Sequence, residues 1–271
     1  MIEELYSIER LALEKSIIHD LDSRVKIIVS FAAIIAMVAY PYTWDVWIPG
    51  GLFFAFFIIA WILSGLSFMT YLKRVFLILP FGIFIILFQI FFENRHYDVF
   101  TPVVDLPLGI HIYAESMEFA AILLVKFIVC ISFIILLSST TTMQDMLKGS
   151  RRLGLPSEFA LIIGLMIRYL FVFAEIFGKV NNVFETRCFN AFDRRLPHKY
   201  RLRILSFAIG TLFIRSYEQG ERTYISMLCR GYSKDSFLNV SKKSLKRNDL
   251  LFLATAMVYI IAIPVYAYFI L

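Results

Sequence analysis

The chain has 271 residues, of which 59% are hydrophobic and 17% aromatic, while only 18% are charged, against about 25% in soluble domains. That balance excludes an ordinary water-soluble enzyme, and runs such as Phe53 to Leu63, Val75 to Ile90 and Phe119 to Leu137 approach the roughly 20 apolar residues that cross a bilayer as helix. The runs are apolar on every side instead of alternating, so the chain reads as an all-α polytopic membrane protein and not as a β-barrel.

The first residues carry Glu3, Glu4, Glu9 and Glu14 against Arg10 and Lys15, the wrong charge for a cleaved export signal, so the first hydrophobic helix is expected to stay in the mature protein. His19-Asp20-Leu21-Asp22 follows, and beside Arg24 and Lys26 it reads as helix capping and surface ion pairing, not as a metal cluster. Five spans are expected: Val25 to Tyr42, Trp44 to Leu66, Val75 to Phe92, Phe119 to Leu137 and Leu250 to Leu271. The first two must form a tight hairpin. Arg24 and Lys26 precede the first span, Lys73 and Arg74 lie between the second and third, and a basic block follows the fourth, so these faces read as cytoplasmic under the positive-inside rule. Pro41 to Asp45 has no Lys or Arg, and Glu93 to Glu118 has Arg95 alone. The expectation is a multi-pass plasma-membrane protein with its N-terminus in the cytoplasm and its C-terminus outside. Lys126, deep in the fourth span, is open to two readings: a functional intramembrane charge, or a lysine snorkelling to the outer interface.

Net charge is +6, and Ser138 to Asp249 holds 19 of the 27 Lys and Arg against 9 of the 21 Asp and Glu. Within it, Phe159 to Phe177 is apolar enough to span but contains Arg168 and has basic flanks, and Ile204 to Ile214 is too short to cross. Ser157 to Asn190 and His198 to Gly231 are therefore read as two long helices on or dipping into the cytoplasmic face. The expected organisation is 1–137 with four spans, 138–249 as a basic coupling-helix region and 250–271 as a last span. A weak repeat supports the pairing: Pro156 lies 31 residues before Arg187, and Pro197 lies 33 before Arg230. Proline suits a helix start, arginine complements the negative C-terminal pole, and Gly231 fits as a stop. Ala160 with Gly164, and Ser206 with Gly210, are spaced to let the two helices approach closely, though the pattern can equally arise by chance.

No phosphate cradle is present: Gly178-Lys179 comes nearest, but Phe173 and Val180 occupy the glycine and hydroxyl positions. Gly-x-Ser-x-Gly, His-Glu-x-x-His and Gly-x-Gly-x-x-Gly are absent too. Cys130, Cys188 and Cys229 are widely spaced, and His19, His96, His111 and His198 share no ligand spacing. The chain is expected to be no enzyme and to hold no metal or cofactor of its own, and no aromatic-interleaved basic motif suggests nucleic acid.

The informative residues are Glu185-Thr186-Arg187-Cys188-Phe189 and Leu228-Cys229-Arg230-Gly231-Tyr232. Each places an arginine near the end of a helix with an aromatic two residues on. Guanidinium makes bidentate, oriented bonds to carboxylates, so the pair could plug two acidic sockets; spacing alone equally allows solvated helix ends paired with phospholipid.

These motifs, the opening Ala12-Leu13-Glu14-Lys15-Ser16-Ile17-Ile18-His19-Asp20-Leu21-Asp22-Ser23-Arg24-Val25-Lys26 and the layout of spans resemble the transmembrane T component of energy-coupling factor (ECF) transporters, especially the cobalt-type CbiQ family. That family has two Ala-Arg-Gly-like motifs at the ends of coupling helices, matched here by Thr186-Arg187-Cys188 and Cys229-Arg230-Gly231. Neither has the leading Ala, and the first replaces Gly with Cys. The resemblance implies that Arg187 and Arg230 dock into two cytosolic ABC ATPase subunits, which bind the ATP and Mg. A membrane S component, CbiM-like if the cargo is cobalt, captures substrate. Alternatives are a shared T component serving vitamin-binding subunits, or a self-sufficient secondary carrier or membrane enzyme.

Overall fold

The computed structural model describes residues 12, 16–89, 102–106, 110–187, 189, 196–233 and 245–270, with the backbone alone at 102–106, 110–112, 114 and 267–270. Asp22 opens α1 (Ser23–Ala39) by accepting the Arg24 N–H on its side chain, which satisfies one of the free amides of a helix start. The helix stops at Tyr40, whose backbone is extended, the conformation forced on a residue before proline, here Pro41. A single 3₁₀ turn (Trp44–Val46) leads into α2 (Trp47–Ser64), which ends on Gly65 at φ +72, where a side chain would be strained. Then come α3 (Phe68–Gln89), a two-stranded hairpin of β1 (Pro102–Leu106) and β2 (Ile110–Tyr113), α4 (Ala114–Thr140), α5 (Met143–Arg152), α6 (Ser157–Thr186), α7 (His198–Cys229) and α8 (Arg247–Ile270). The antiparallel hairpin, with Asp105 opposite His111, is an element the sequence reading did not anticipate; its alternation runs for only a few residues.

The chain forms two compact units, one containing α1 to α5 with α8 and the other α6 with α7. In the first, α1 packs on α4, α5 and α8, while α4 also takes α2 and α3. Val25, Val29, Ala33 and Met37 form a buried stripe along α1 at intervals of four, the spacing that keeps one face of a helix turned to its neighbours. They meet Phe53, Phe57 and Trp61 of α2 and Ile122, Val129 and Phe133 of α4, with Phe53 edge-on to Phe133 and Phe56 stacked on it. At Gly82 of α3 an added Cβ would fall 1.9 Å from the Phe127 ring, so glycine lets α3 settle on α4 there without displacing that ring.

Five helices among the described residues are long and apolar enough to cross a membrane: Trp44–Ser64, Phe68–Gln89, Glu115–Thr140, Ser157–Thr186 and Arg247–Tyr266. Four of them overlap expected spans. The structure moves the start of α3 back to Phe68, through Lys73 and Arg74, and Arg74 donates to the Ser139 hydroxyl at 2.6 Å. It likewise carries α4 on to Thr140, since the Ser139 and Thr140 hydroxyls bond back to the carbonyls of Ile135 and Leu136. The expected first span is α1, whose 17 residues, about 26 Å, sit at the lower limit for crossing. The fifth helix long and apolar enough to cross is α6, which the sequence reading laid on, or dipping into, the cytoplasmic face.

Two buried lysines fasten α1 to α4. The Lys26 ammonium donates to the carbonyls of Thr140 at 2.8 Å and His19 at 3.1 Å. Lys126, 5% exposed, donates to Val38 at 3.3 Å and to Tyr40, and lies 3.8 Å from the centre of the Tyr42 ring. It therefore turns sideways onto the end of α1 instead of stretching along α4. The exposed Trp44 and Trp47 follow within a few residues, as expected of an interfacial belt.

One end of the bundle gathers four segments. Thr140 closes α4 beside Lys26, and Asp249, 4% exposed, accepts the Asp22 N–H at 3.3 Å and the Lys246 N–H at 3.0 Å at the start of α8. Asp22, 8% exposed, also takes Arg24 Nε and Nη2 at 3.2 Å and Arg152 Nη1 at 3.3 Å. Gly149 brings α5 against α1 so closely that a Cβ would meet Ser23 Oγ at 2.7 Å. The end of α4 at Thr140 and the start of α8 at Asp249 thus lie at the same end of the bundle.

Candidate functional site

The second unit is built twice from one plan. Pro156 is the N-cap of α6 and Pro197 that of α7, at φ −54 and −56, and their carbonyls accept the first helical amides, from Ala160 and Arg201. The helices run 30 and 32 residues and end on Arg187 and Arg230, both at φ −91 with ψ 15 and 10. Beyond each arginine the chain folds back identically. The Phe189 N–H bonds the Phe184 carbonyl at 2.9 Å, and the Tyr232 N–H bonds the Met227 carbonyl at 3.0 Å. These are the six-to-one bonds of the Schellman motif, with the arginine as C-cap. In the second copy Gly231 sits at φ +82 and closes the inner bond to Leu228 at 2.9 Å.

This geometry explains the aromatic that follows each arginine by two. It occupies the position that packs back on the last helical turn: the Phe189 ring meets Phe184 edge to face at 5.4 Å. The spacing Arg-x-aromatic was visible in the sequence; its purpose was not.

Arg187 and Arg230 are exposed, and neither enters an ion pair among the described residues. Thr186 turns its hydroxyl to the Val183 carbonyl at 2.9 Å, which finishes the helix locally, and Cys229 is an exposed free thiol on the last residue of α7. Cys188 lies outside the described residues.

Phe189 also contacts Tyr200 in the first turn of α7, with ring centres 6.4 Å apart. Arg187 therefore stands at the beginning of α7 and Arg230 at its end, separated by the length of a 32-residue helix, about 48 Å. The two helices touch again where the Tyr169 hydroxyl meets that of Thr223 at 2.6 Å. The small residues do not make this contact: a Cβ on Gly210 would meet nothing within 4 Å, so the close approach expected at Ser206 and Gly210 is replaced by a polar crossing further along.

Among the described residues no group of three or more His, Cys, Asp or Glu side chains could hold a metal ion. His19 bonds Ser16 at 2.7 Å and His198 bonds Arg201 at 2.7 Å. Asp22 does cap a helix as the sequence suggested, but its ion pairs with Arg24 and Arg152 are partly buried, not fully superficial. The partner Arg152 was unforeseen, since 130 residues separate the two.

The model of the CbiQ cobalt transport protein family matches residues 14–239. The chain is 28% identical over 198 residues to Uncharacterized protein MJ1571 of Methanocaldococcus jannaschii, and 28% identical over 123 residues to Uncharacterized protein MJ1089 of the same organism. These alignments cover 72% and 45% of this chain, and 65% and 44% of the two relatives. With a family match over most of its length and five helices suited to crossing a membrane, the chain belongs to the CbiQ cobalt transport family as a multi-pass membrane protein.

Proposed function

We propose that this chain is the transmembrane coupling subunit of an ECF-type importer, a non-catalytic part that passes the ATP-driven motion of two cytosolic ATPase subunits to a substrate-binding membrane subunit. The observation that carries this is the matched pair of arginine caps, exposed, alike in backbone geometry and set at opposite ends of α7. Two equal plugs about one helix length apart suit two copies of one partner, each offering a carboxylate-lined groove. ATP and Mg belong to those partners. The cargo is cobalt or nickel, by family, and its recognition belongs to the S component.

The basic end of the bundle is the cytoplasmic end in this reading, with the N-terminus inside and the C-terminus outside. Exit at Thr140 and return at Asp249 on one side support it. The chain between them must cross an even number of times, and among the described residues α6 is apolar enough to cross while α7 is not. A lone crossing by α6 would leave the return on the wrong side. A carrier working alone would turn on Lys126, yet that ammonium is already bonded to Val38 and Tyr40.

The test is co-purification with candidate ATPase subunits from the same organism, using wild type, Arg187→Ala, Arg230→Ala and the double variant. Each single change should weaken association by at least tenfold, because losing an arginine from a buried charged contact costs about 2–5 kcal/mol. Association indifferent to both arginines, or metal uptake by the isolated chain without ATP, would overturn the reading.

A further inference from the structure

Asp22 holds more of the chain than its place before α1 requires. Arg24 alone satisfies the carboxylate, through its backbone N–H and a two-pronged guanidinium contact at 3.0–3.2 Å. Arg152 adds a third cationic contact at 3.3 Å from 130 residues away. Its side chain is 18% exposed and that of Asp22 5%, so the pair is shielded from the solvent that makes most surface pairs worth little.

The position of Arg152 in the chain is what matters. It is the last residue of α5, and α5 is seated on α1 by Gly149 against Ser23 and Ile27. After Leu153 the chain passes from the first compact unit into the second at Gly154, whose φ of +118 lies where side chains are strained. Two residues later Pro156 caps α6. Arg152 is thus the final side-chain tie to the bundle before a glycine joint and the helices that carry Arg187 and Arg230.

We propose that the Asp22–Arg152 pair is an anchor that clamps the root of the coupling helices to the membrane bundle, so that force arriving along α6 turns the chain at Gly154 instead of peeling α5 from α1. The inference rests on the coupling role proposed above. Both residues are positioning residues: neither lies at the arginine caps. A load-transmitting joint needs one rigid side, and a short ten-residue helix is too short to hold its shape alone.

The anchor is tested first in the isolated full chain, by hydrogen exchange in detergent. Arg152→Met should raise exchange across Gln144–Arg152 at least tenfold while leaving α1 and α4 unchanged, and Arg152→Lys should restore most protection. Unchanged exchange in α5 would overturn the anchor whether or not the chain couples to ATPases. The second arm uses the complete complex in proteoliposomes with Co²⁺ as probe. Arg152→Met and Asp22→Asn should retain assembly and ATP hydrolysis within twofold of wild type and lower Co²⁺ imported per ATP at least fivefold, with Arg152→Lys recovering the ratio. An unchanged ratio, or import falling only as far as assembly does, would overturn the transmission role. Failure of wild type to assemble with ATPases would instead strike the coupling reading itself.

Discussion

Lys26 of α1 and Lys126 of α4 perform the same act in opposite directions. Lys26 donates to the carbonyl of Thr140, the last residue of α4, and Lys126 donates to Val38 and Tyr40 at the end of α1. The helices run antiparallel, and each lends a cation to the other's free carbonyls, where the helix dipole is negative and four backbone oxygens lack partners. Each lysine in turn gains the bonds it needs to be tolerated inside the bundle.

Replacing either lysine with methionine removes charge and donors together and strands those carbonyls. Each change should destabilise the chain by about 1–3 kcal/mol. The two sites lie some 20 Å apart along α1, so the double variant should lose close to the sum. Thermal unfolding in detergent measures this, and a double variant no worse than one single would show that the sites are linked through something other than these helix ends.

Gly231→Ala puts a side chain at φ +82 and should cost about 1–2 kcal/mol, confined to the last turn of α7. Hydrogen exchange of Leu228–Tyr232 should quicken while the melting temperature holds. The variant should weaken ATPase association less than Arg230→Ala, since the guanidinium remains.

At Gly149 a methyl would crowd Ser23 Oγ at 2.7 Å and Ile27 Cδ1 at 3.1 Å. Gly149→Ala can be relieved by turning the serine and should be mild. Gly149→Val cannot, and should cost about 1–3 kcal/mol of overpacking, seen as a lower melting temperature.

Burial alone would push the Asp22 carboxyl up, but the Arg24 hydrogen bonds and the charges of Arg24 and Arg152 hold it below its ordinary value. A carboxylate held low in the folded state stabilises it fully above the unfolded value near 4, and that contribution is lost as pH falls through the folded value. Between about pH 5 and pH 3 the wild type should therefore lose more melting temperature than Asp22→Asn. Equal losses would remove Asp22 from the acid response.

In a cysteine-free background, Gln144→Cys should react with an impermeant reagent from the cytoplasm and Trp44→Cys from outside. Both residues are exposed, so access is set by side alone, and reversed labelling would invert the proposed orientation.

The hydropathy of the chain revealed the membrane helices because burial in lipid demands apolar residues on every face. It misplaced the start of α3 and the end of α4 because Arg74, Ser139 and Thr140 look like interface residues until their mutual bonds are seen. The starts of α6 and α7 were legible to the residue, since proline marks them. The end of α6 was read some four residues late; Arg187 was placed near the helix end, but without a glycine after it the sequence does not mark it as the cap itself. The ties through Asp22 could not be read at all: Arg152 and Asp249 are each more than a hundred residues distant, and proximity at that range is a product of packing, not of local pattern.

Because Arg152 and Asp249 both tie to Asp22, the bundle of α1 to α5 and α8 is closed on itself without the segment from Gly154 to Lys242. That segment is an insertion in the architectural sense, carried by a scaffold that does not depend on it for topology. A substitution in α6 or α7 should then leave the packing of α1, α4 and α8 intact. The same logic makes the stretch from Gly154 to Lys242 the natural unit to exchange between relatives, with Arg152 and Asp249, both tied to Asp22, marking the bundle ends that the graft must join.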